Sequence, residues 1–146
     1  NISDKVYFPG YLDYTEMKHS YAAASCFVLP STTEQWGLVI NEALASGLPV
    51  LCSENVGSAP NLLSGKHVGY MFDPFSSEDL ENKMMTIVEE IKTIDFSVNA
   101  KRVISEWGRD KYAKNIRLAS AKAIKIYRRK GIMRRLFLRL FIYLLK

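Results

Sequence analysis

The stretch Cys26-Phe27-Val28-Leu29-Pro30-Ser31-Thr32-Thr33-Glu34-Gln35-Trp36-Gly37-Leu38-Val39-Ile40-Asn41-Glu42-Ala43-Leu44-Ala45-Ser46-Gly47-Leu48-Pro49-Val50 decides the fold. Cys26 to Leu29 is a continuous apolar run of the length expected for a strand buried on both faces. Pro30-Ser31-Thr32-Thr33 breaks it. A helix is predicted from near Gly37 to Ser46, with Gly47 at its C-cap and Pro49 blocking continuation. Val50-Leu51-Cys52 then starts another strand. Strand, helix and strand joined by short links predict a right-handed unit with parallel strands.

The same alternation extends in both directions. Val6-Tyr7-Phe8 is a short β-prone run closed by Pro9-Gly10. A helix is predicted from about Thr15 to Ala24, with Met17, Tyr21 and Ala24 on one face. Downstream, Ser58 caps a short helix through Leu63, with Pro60 in its first turn. Val68 to Phe72 forms a strand ended by Asp73-Pro74. Ser76 or Ser77 caps an amphipathic helix with Glu78 and Asp79 in its first turn and Leu80, Met84, Ile87, Val88 and Ile91 inward. From Ser97 the pattern is helical, interrupted near Trp107-Gly108 and near Gly131. The expected class is α/β: a Rossmann-like parallel sheet with helices on both faces, followed by C-terminal helices. Residues 1–130 form the expected domain and residues 131–146 a separate basic tail.

A chain of 146 residues can build one core that buries about 70% of its unfolded surface. With 48% apolar and 24% charged residues, it is neither disordered, collagen-like nor a disulfide scaffold. No 18-residue apolar stretch exists, which excludes a membrane-spanning helix. Charge is unevenly placed: residues 1–100 hold 5 Lys/Arg against 13 Asp/Glu, and residues 101–146 hold 15 against 2. An acidic body with a basic tail points the tail at something anionic. Cys26 and Cys52 read as buried reduced thiols, and neither they nor His19 and His67 have the spacing of metal ligands.

Glu34 and Glu42 flank the turn from strand to helix, where ligands of open α/β sheets sit. The amides of Trp36, Gly37 and Leu38 belong to the first helical turn and would point at an anion, helped by the helix dipole. Two carboxylates beside such a site suit hydroxyl donors rather than phosphate. Each charged hydrogen bond is worth about 1.5–3 kcal/mol. A nucleotide sugar offers ribose, diphosphate and hexose in that order.

These residues resemble the donor-binding half of retaining GT-B glycosyltransferases of the large family 4, the glycosyl transferases group 1. The likeness rests on Phe8-x-Gly10, Ser25 to Pro30, Glu34 and Glu42, Gly47-Leu48-Pro49-Val50, Gly57 to Leu63 and Gly69 to Pro74, and covers roughly Val6 to Tyr127. The Glu spacing alone is unspecific, because Glu81 and Glu89 repeat it on an ordinary solvated helix face. The resemblance implies that Glu42 accepts hydrogen bonds from the ribose hydroxyls. It implies that Glu34 holds hydroxyls of the donor sugar near the reacting carbon, a positioning and electrostatic role. The amides around Trp36, Gly37 and Leu38 would bind the diphosphate or sugar, and Leu12 falls where the family contacts the base. Gln35 departs from the family's usual Gly-Phe-Gly and is expected to alter donor choice. Asn61 stands where an acid is common.

The family places its acceptor site on a separate N-terminal domain, and no residue here matches the upstream Arg and Lys that neutralise the diphosphate. The expected partners are therefore a nucleotide sugar, a glycan or lipid-linked acceptor and that acceptor domain. No cofactor or metal is expected, since no Asp-x-Asp motif is present. The tail places Arg128, Arg135, Arg139 and Lys146 in one stripe beside Leu136, Phe137, Leu140, Phe141, Leu144 and Leu145. That pattern fits an interfacial helix on anionic headgroups and a cytoplasmic location at the inner face of a membrane. Packing against the acceptor domain is the competing expectation for this helix. A non-catalytic module that binds a nucleotide sugar or a partner is the competing function. Nucleic-acid binding is disfavoured for want of any motif, and dinucleotide oxidoreduction for want of a GxGxxG.

Overall fold

The computed structural model describes the backbone of residues 2–144, and side chains among these except 129, 130 and 132–144. It separates into two compact units that divide between Glu106 and Trp107. The first contains helices α1 (Tyr14–Ala23), α2 (Leu38–Ala45), α3 (Ala59–Leu62), α4 (Ser77–Glu90) and α5 (Phe96–Ser105), with strands β1 (Phe27–Leu29), β2 (Val50–Ser53) and β3 (Gly69–Phe72). The second is built on α6 (Arg109–Leu144). The strands pair in the order β1-β2-β3, all parallel, with Val28 beside Leu51 and Leu51 beside Tyr70.

Strand β2 divides the core by its period of two. Val50 and Cys52 point into one cluster with Ile40, Ala43 and Leu44 of α2, Ala59 and Leu62 of α3, and Ala100 and Val103 of α5. Leu51 points into the other with Phe72, Ile87 of α4 and Phe96. Helices therefore cover both faces of a parallel sheet, as strands buried on two sides require. Their ends are set locally. Asp13 accepts hydrogen bonds from the Thr15 and Glu16 amides while Glu16 accepts from the Asp13 amide, a complete capping box for α1. Ser76 caps α4 by accepting from the Asp79 amide at 3.1 Å, and Asp95 caps α5 through the Ser97 amide at 2.9 Å.

The structure corrects four expectations. Val6-Tyr7-Phe8 is not a strand: Val6 is extended, but no neighbouring strand among the described residues pairs with the run, and Tyr7 and Phe8 are exposed. The strand buried on both faces is β2, not the Cys26–Leu29 run, which is half-buried because β1 pairs with β2 alone among the described strands. On α4 only Ile87 is buried and Leu80 half-buried, whereas Met84, Val88 and Ile91 are exposed. A three-stranded sheet is too narrow for the whole apolar stripe. Finally, α6 runs through Gly131 without a break; one glycine costs a helix only about 1 kcal/mol relative to alanine, too little to end a helix of this length.

The cysteines are free, Cys52 buried and Cys26 half-buried, and burial pushes the Cys52 thiol up to about 12. Leu44 lies wholly inside the larger cluster and Met85 is exposed on α4. Leu44→Ala is expected to lower the free energy of unfolding by about 2–5 kcal/mol, and Met85→Ala by no more than about 0.5 kcal/mol. Urea titration followed by tryptophan fluorescence reads both.

Candidate functional site

Two loops leave the carboxyl ends of adjacent parallel strands: residues 30–37 after β1 and residues 54–58 after β2. They are laced together through the backbone of Glu34. Its carbonyl accepts from the Gly57 amide at 2.9 Å and its amide donates to the Asn55 carbonyl at 3.4 Å. Glu34 and Val56 thereby form an isolated parallel bridge beyond the end of the sheet. The Asn55 side-chain amide adds a bond to the Thr32 carbonyl at 3.1 Å. Gly57 makes this possible: a Cβ there would collide with the backbone carbonyl of Gln35, so a bare α-carbon is required for the two chains to approach.

The carboxylate of Glu34 turns back onto its own loop. Oε1 accepts from the Trp36 amide and the Gly37 amide, each at 3.2 Å. Gly37, at φ +77°, is the N-cap of α2 and has no side chain. Glu34 therefore fixes the loop that enters the helix, by holding the amides of the N-cap and of the residue before it. The Trp36 and Gly37 amides, expected to face an external anion, are held in this structure by an internal carboxylate. Leu38, the first residue of α2, and Gln35 are exposed, and Leu12 is half-buried just before the α1 cap. The Trp36 indole donates to Asn41 Oδ1 at 3.3 Å, stapling the loop to the helix behind it.

Glu42 lies one turn further along α2 and is half-buried. Its Oε2 accepts a hydrogen bond from the Tyr21 hydroxyl at 3.1 Å. Burial, reinforced by the hydrogen bond and the charge of Glu42, pushes the Tyr21 phenol up to about 12. Sequence reasoning placed Tyr21 only on a helix face shared with Met17 and Ala24. The available signal was its polar tip, since an inward tyrosine hydroxyl needs a partner. Both carboxylates are thus held through one oxygen: Glu34 by backbone amides, Glu42 by a phenol. The repeat of the spacing on α4 behaves as expected, with Glu81 exposed and Glu89 in a solvated pair with Lys92 at 2.8 Å. Ser58, next to Gly57, is fully buried, and its hydroxyl has no hydrogen-bond partner among the described residues.

The sequence profile described as glycosyl transferases group 1 matches residues 1–120. The chain belongs to that family. It is 35% identical over 103 residues to a sulfoquinovosyl transferase of Arabidopsis thaliana, a match spanning 68% of this chain and 20% of that protein. It is 30% identical over 129 residues to a D-inositol 3-phosphate glycosyltransferase of Streptomyces bingchenggensis, spanning 88% and 28% respectively. Among solved structures, sucrose-phosphate synthase from Thermosynechococcus elongatus superimposes with a TM-score of 0.72 at 25% identity, covering 84% of this chain and 31% of that one. The Rossmann-like half of a GT-B fold expected from the sequence is the fold found. The chain spans less than a third of each of these relatives.

The bonds from Glu34 to the Trp36 and Gly37 amides separate its structural role from its charge. Glu34→Ala leaves two amides without their acceptor and is expected to cost about 1–2 kcal/mol of stability. Glu34→Gln keeps a carbonyl acceptor and is expected to cost less than half as much. Thermal or urea unfolding of the two variants side by side measures the difference.

Proposed function

We propose that this chain supplies the donor-binding half of a glycosyltransferase that moves a sugar from a nucleotide sugar to an acceptor with retention and without a metal ion. The observation that carries the reading is the pair of glutamates that follow β1, Glu34 in the loop at its carboxyl end and Glu42 one turn into α2, each fixed through one oxygen and so presenting the other to a ligand. Glu42 accepts from the ribose hydroxyls. Glu34 accepts from hydroxyls of the transferred sugar, and its negative charge lies near the carbon where positive charge develops. The amides of Trp36 and Gly37 act through Glu34, by fixing its orientation. Gln35 and Leu38, exposed on the same loop, contact the donor directly, and Leu12 meets the base. The acceptor, a glycan or a lipid-linked glycan, is held by a separate N-terminal domain that also neutralises the diphosphate.

The reading places the enzyme in the cytoplasm, at the inner face of a membrane. Its support is the basic tail. After Asp110 the chain holds no acidic residue, and seven Lys or Arg lie between Arg128 and Lys146, each adding about 1 kcal/mol near an anionic surface. The stripe over Arg135, Arg139 and Lys146 and the apolar residues beside it lie outside the described side chains. The longest unbroken apolar run of the tail, Leu140 to Leu145, is far shorter than the roughly 20 residues a spanning helix needs, so the reading lays the tail on the surface.

Two measurements on the full-length protein test the site. Glu42→Ala is expected to weaken binding of both the free nucleotide and the nucleotide sugar in calorimetric titration; unchanged affinity for free nucleotide removes Glu42 from the site. Glu34→Gln is expected to lower turnover much more than nucleotide affinity, and turnover within a few-fold of wild type refutes its role. A third measurement tests the tail. Sedimentation with anionic vesicles is expected to require residues 132–146 and to fail with neutral vesicles. Equal recovery with both lipids, or no loss on truncation, leaves packing against the acceptor domain as the tail's role.

A further inference from the structure

We propose that Tyr21 is the positioning residue for Glu42, setting the carboxylate in its ligand-accepting orientation before the nucleotide arrives. The proposal rests on the reading of Glu42 as the acceptor for the ribose hydroxyls. Tyr21 reaches Glu42 from another helix, 21 residues away, and donates to Oε2 at 3.1 Å. Its ring is itself fixed against Phe27 at the start of β1, with centroids 5.8 Å apart and planes tilted by 57°. Its helix is anchored at the other end by the Asp13–Glu16 capping box. A free glutamate side chain samples several rotamers and must lose that freedom when a ligand hydroxyl binds. Glu42 loses it on folding instead, because a donor to an ionised acceptor makes a comparatively strong bond. Oε1 is left for the ligand. The phenol ionises only near 12, so it stays a donor throughout the pH range in which such an enzyme works.

The arrangement also sets a division of labour. Tyr21 need not touch the nucleotide, and its contribution must pass through the ribose hydroxyls that Glu42 receives. Removing those hydroxyls from the ligand should therefore erase the effect of removing the phenol oxygen.

The test uses the full-length protein and whichever of UDP, GDP and ADP binds it most tightly, together with the 2′,3′-dideoxy form of that nucleotide. Tyr21→Phe keeps the ring on Phe27 and removes only the hydroxyl. It is expected to weaken the ribonucleotide by about three- to tenfold and to leave the dideoxy nucleotide unchanged. Glu42→Ala should weaken the ribonucleotide at least as much, and the double variant no further than Glu42→Ala alone. If Glu42→Ala weakens the ribonucleotide and Tyr21→Phe does not, the positioning role is wrong while the ribose role of Glu42 stands. Equal losses for the ribonucleotide and dideoxy forms in Tyr21→Phe reduce Tyr21 to packing and also overturn the proposal. If Glu42→Ala changes nothing, or no nucleotide binds, the reading of Glu42 itself falls. A readout that needs no change at Tyr21 is ultraviolet titration of tyrosinate. One tyrosine ionising near 12 should move to lower pH in Glu42→Ala, and an unchanged curve shows that the bond does not hold the pair together.

Discussion

The backbone and side chain of Glu34 do separate work, and the site depends on their being done by one residue. The main chain joins the loops after β1 and β2 through bonds to Gly57 and Asn55, fixing where the residue sits. The carboxylate then reaches the amides of Trp36 and Gly37 and closes the start of α2. Because the loop is tied by the backbone of Glu34 on one side and by its carboxylate on the other, the second carboxylate oxygen has a defined place. Gly57 and Gly37 make this geometry possible. At the first, a side chain would displace the Gln35 carbonyl; at the second, it would be forced into a left-handed conformation with Val56 only 3.0 Å from its Cβ.

Glu42 inherits its position from Glu34 through the helix between them. The left-handed turn at Gly37 sets the start of α2, and the helix carries Glu42 back along its half-buried side to meet Tyr21. Ile40, Ala43 and Leu44 bury the rest of that helix in the larger core cluster. The site is thus supported by the same packing that stabilises the fold, which is how a few hydrogen bonds can hold carboxylates in fixed orientations. It also means that substitutions meant to probe chemistry carry a stability cost. The cost is greatest where a side chain serves both roles, as Glu34 does.

Outside the site the surface is uneven. Apolar side chains stay exposed on the outer face of α4, at Met84, Met85 and Val88, and along the N-terminal segment at Tyr7, Phe8 and Tyr11. Acidic residues dominate the sheet unit, and basic residues dominate everything after Asp110. Such a separation of charge acts on encounter and surface binding rather than on the fold.

The sequence by itself determined the order and type of nearly every element. Caps, turn residues and apolar periods are local, and Gly47, Pro49, Ser76 and the run Phe27 to Leu29 carry their signals within a few residues. The Asp13–Glu16 capping box is also a local signal, but it was not read, and helix α1 begins at Tyr14, one residue before the expected Thr15. The sequence also marked Glu34 and Glu42, through their place between strand and helix. Burial and partnership were decided only by the tertiary structure. Whether Val6 to Phe8 pairs, whether β1 is covered on both faces and whether Met84 and Val88 find a core all depend on neighbours distant in the chain. The oxygens of the two glutamates follow the same rule. That Glu34 would take the Trp36 and Gly37 amides for itself depends on a loop held in place by Gly57, and that Glu42 would meet Tyr21 depends on α1 packing beside α2. A hydrogen bond needs two groups within about 3 Å of each other, and only the assembled fold fixes that distance for residues far apart in sequence.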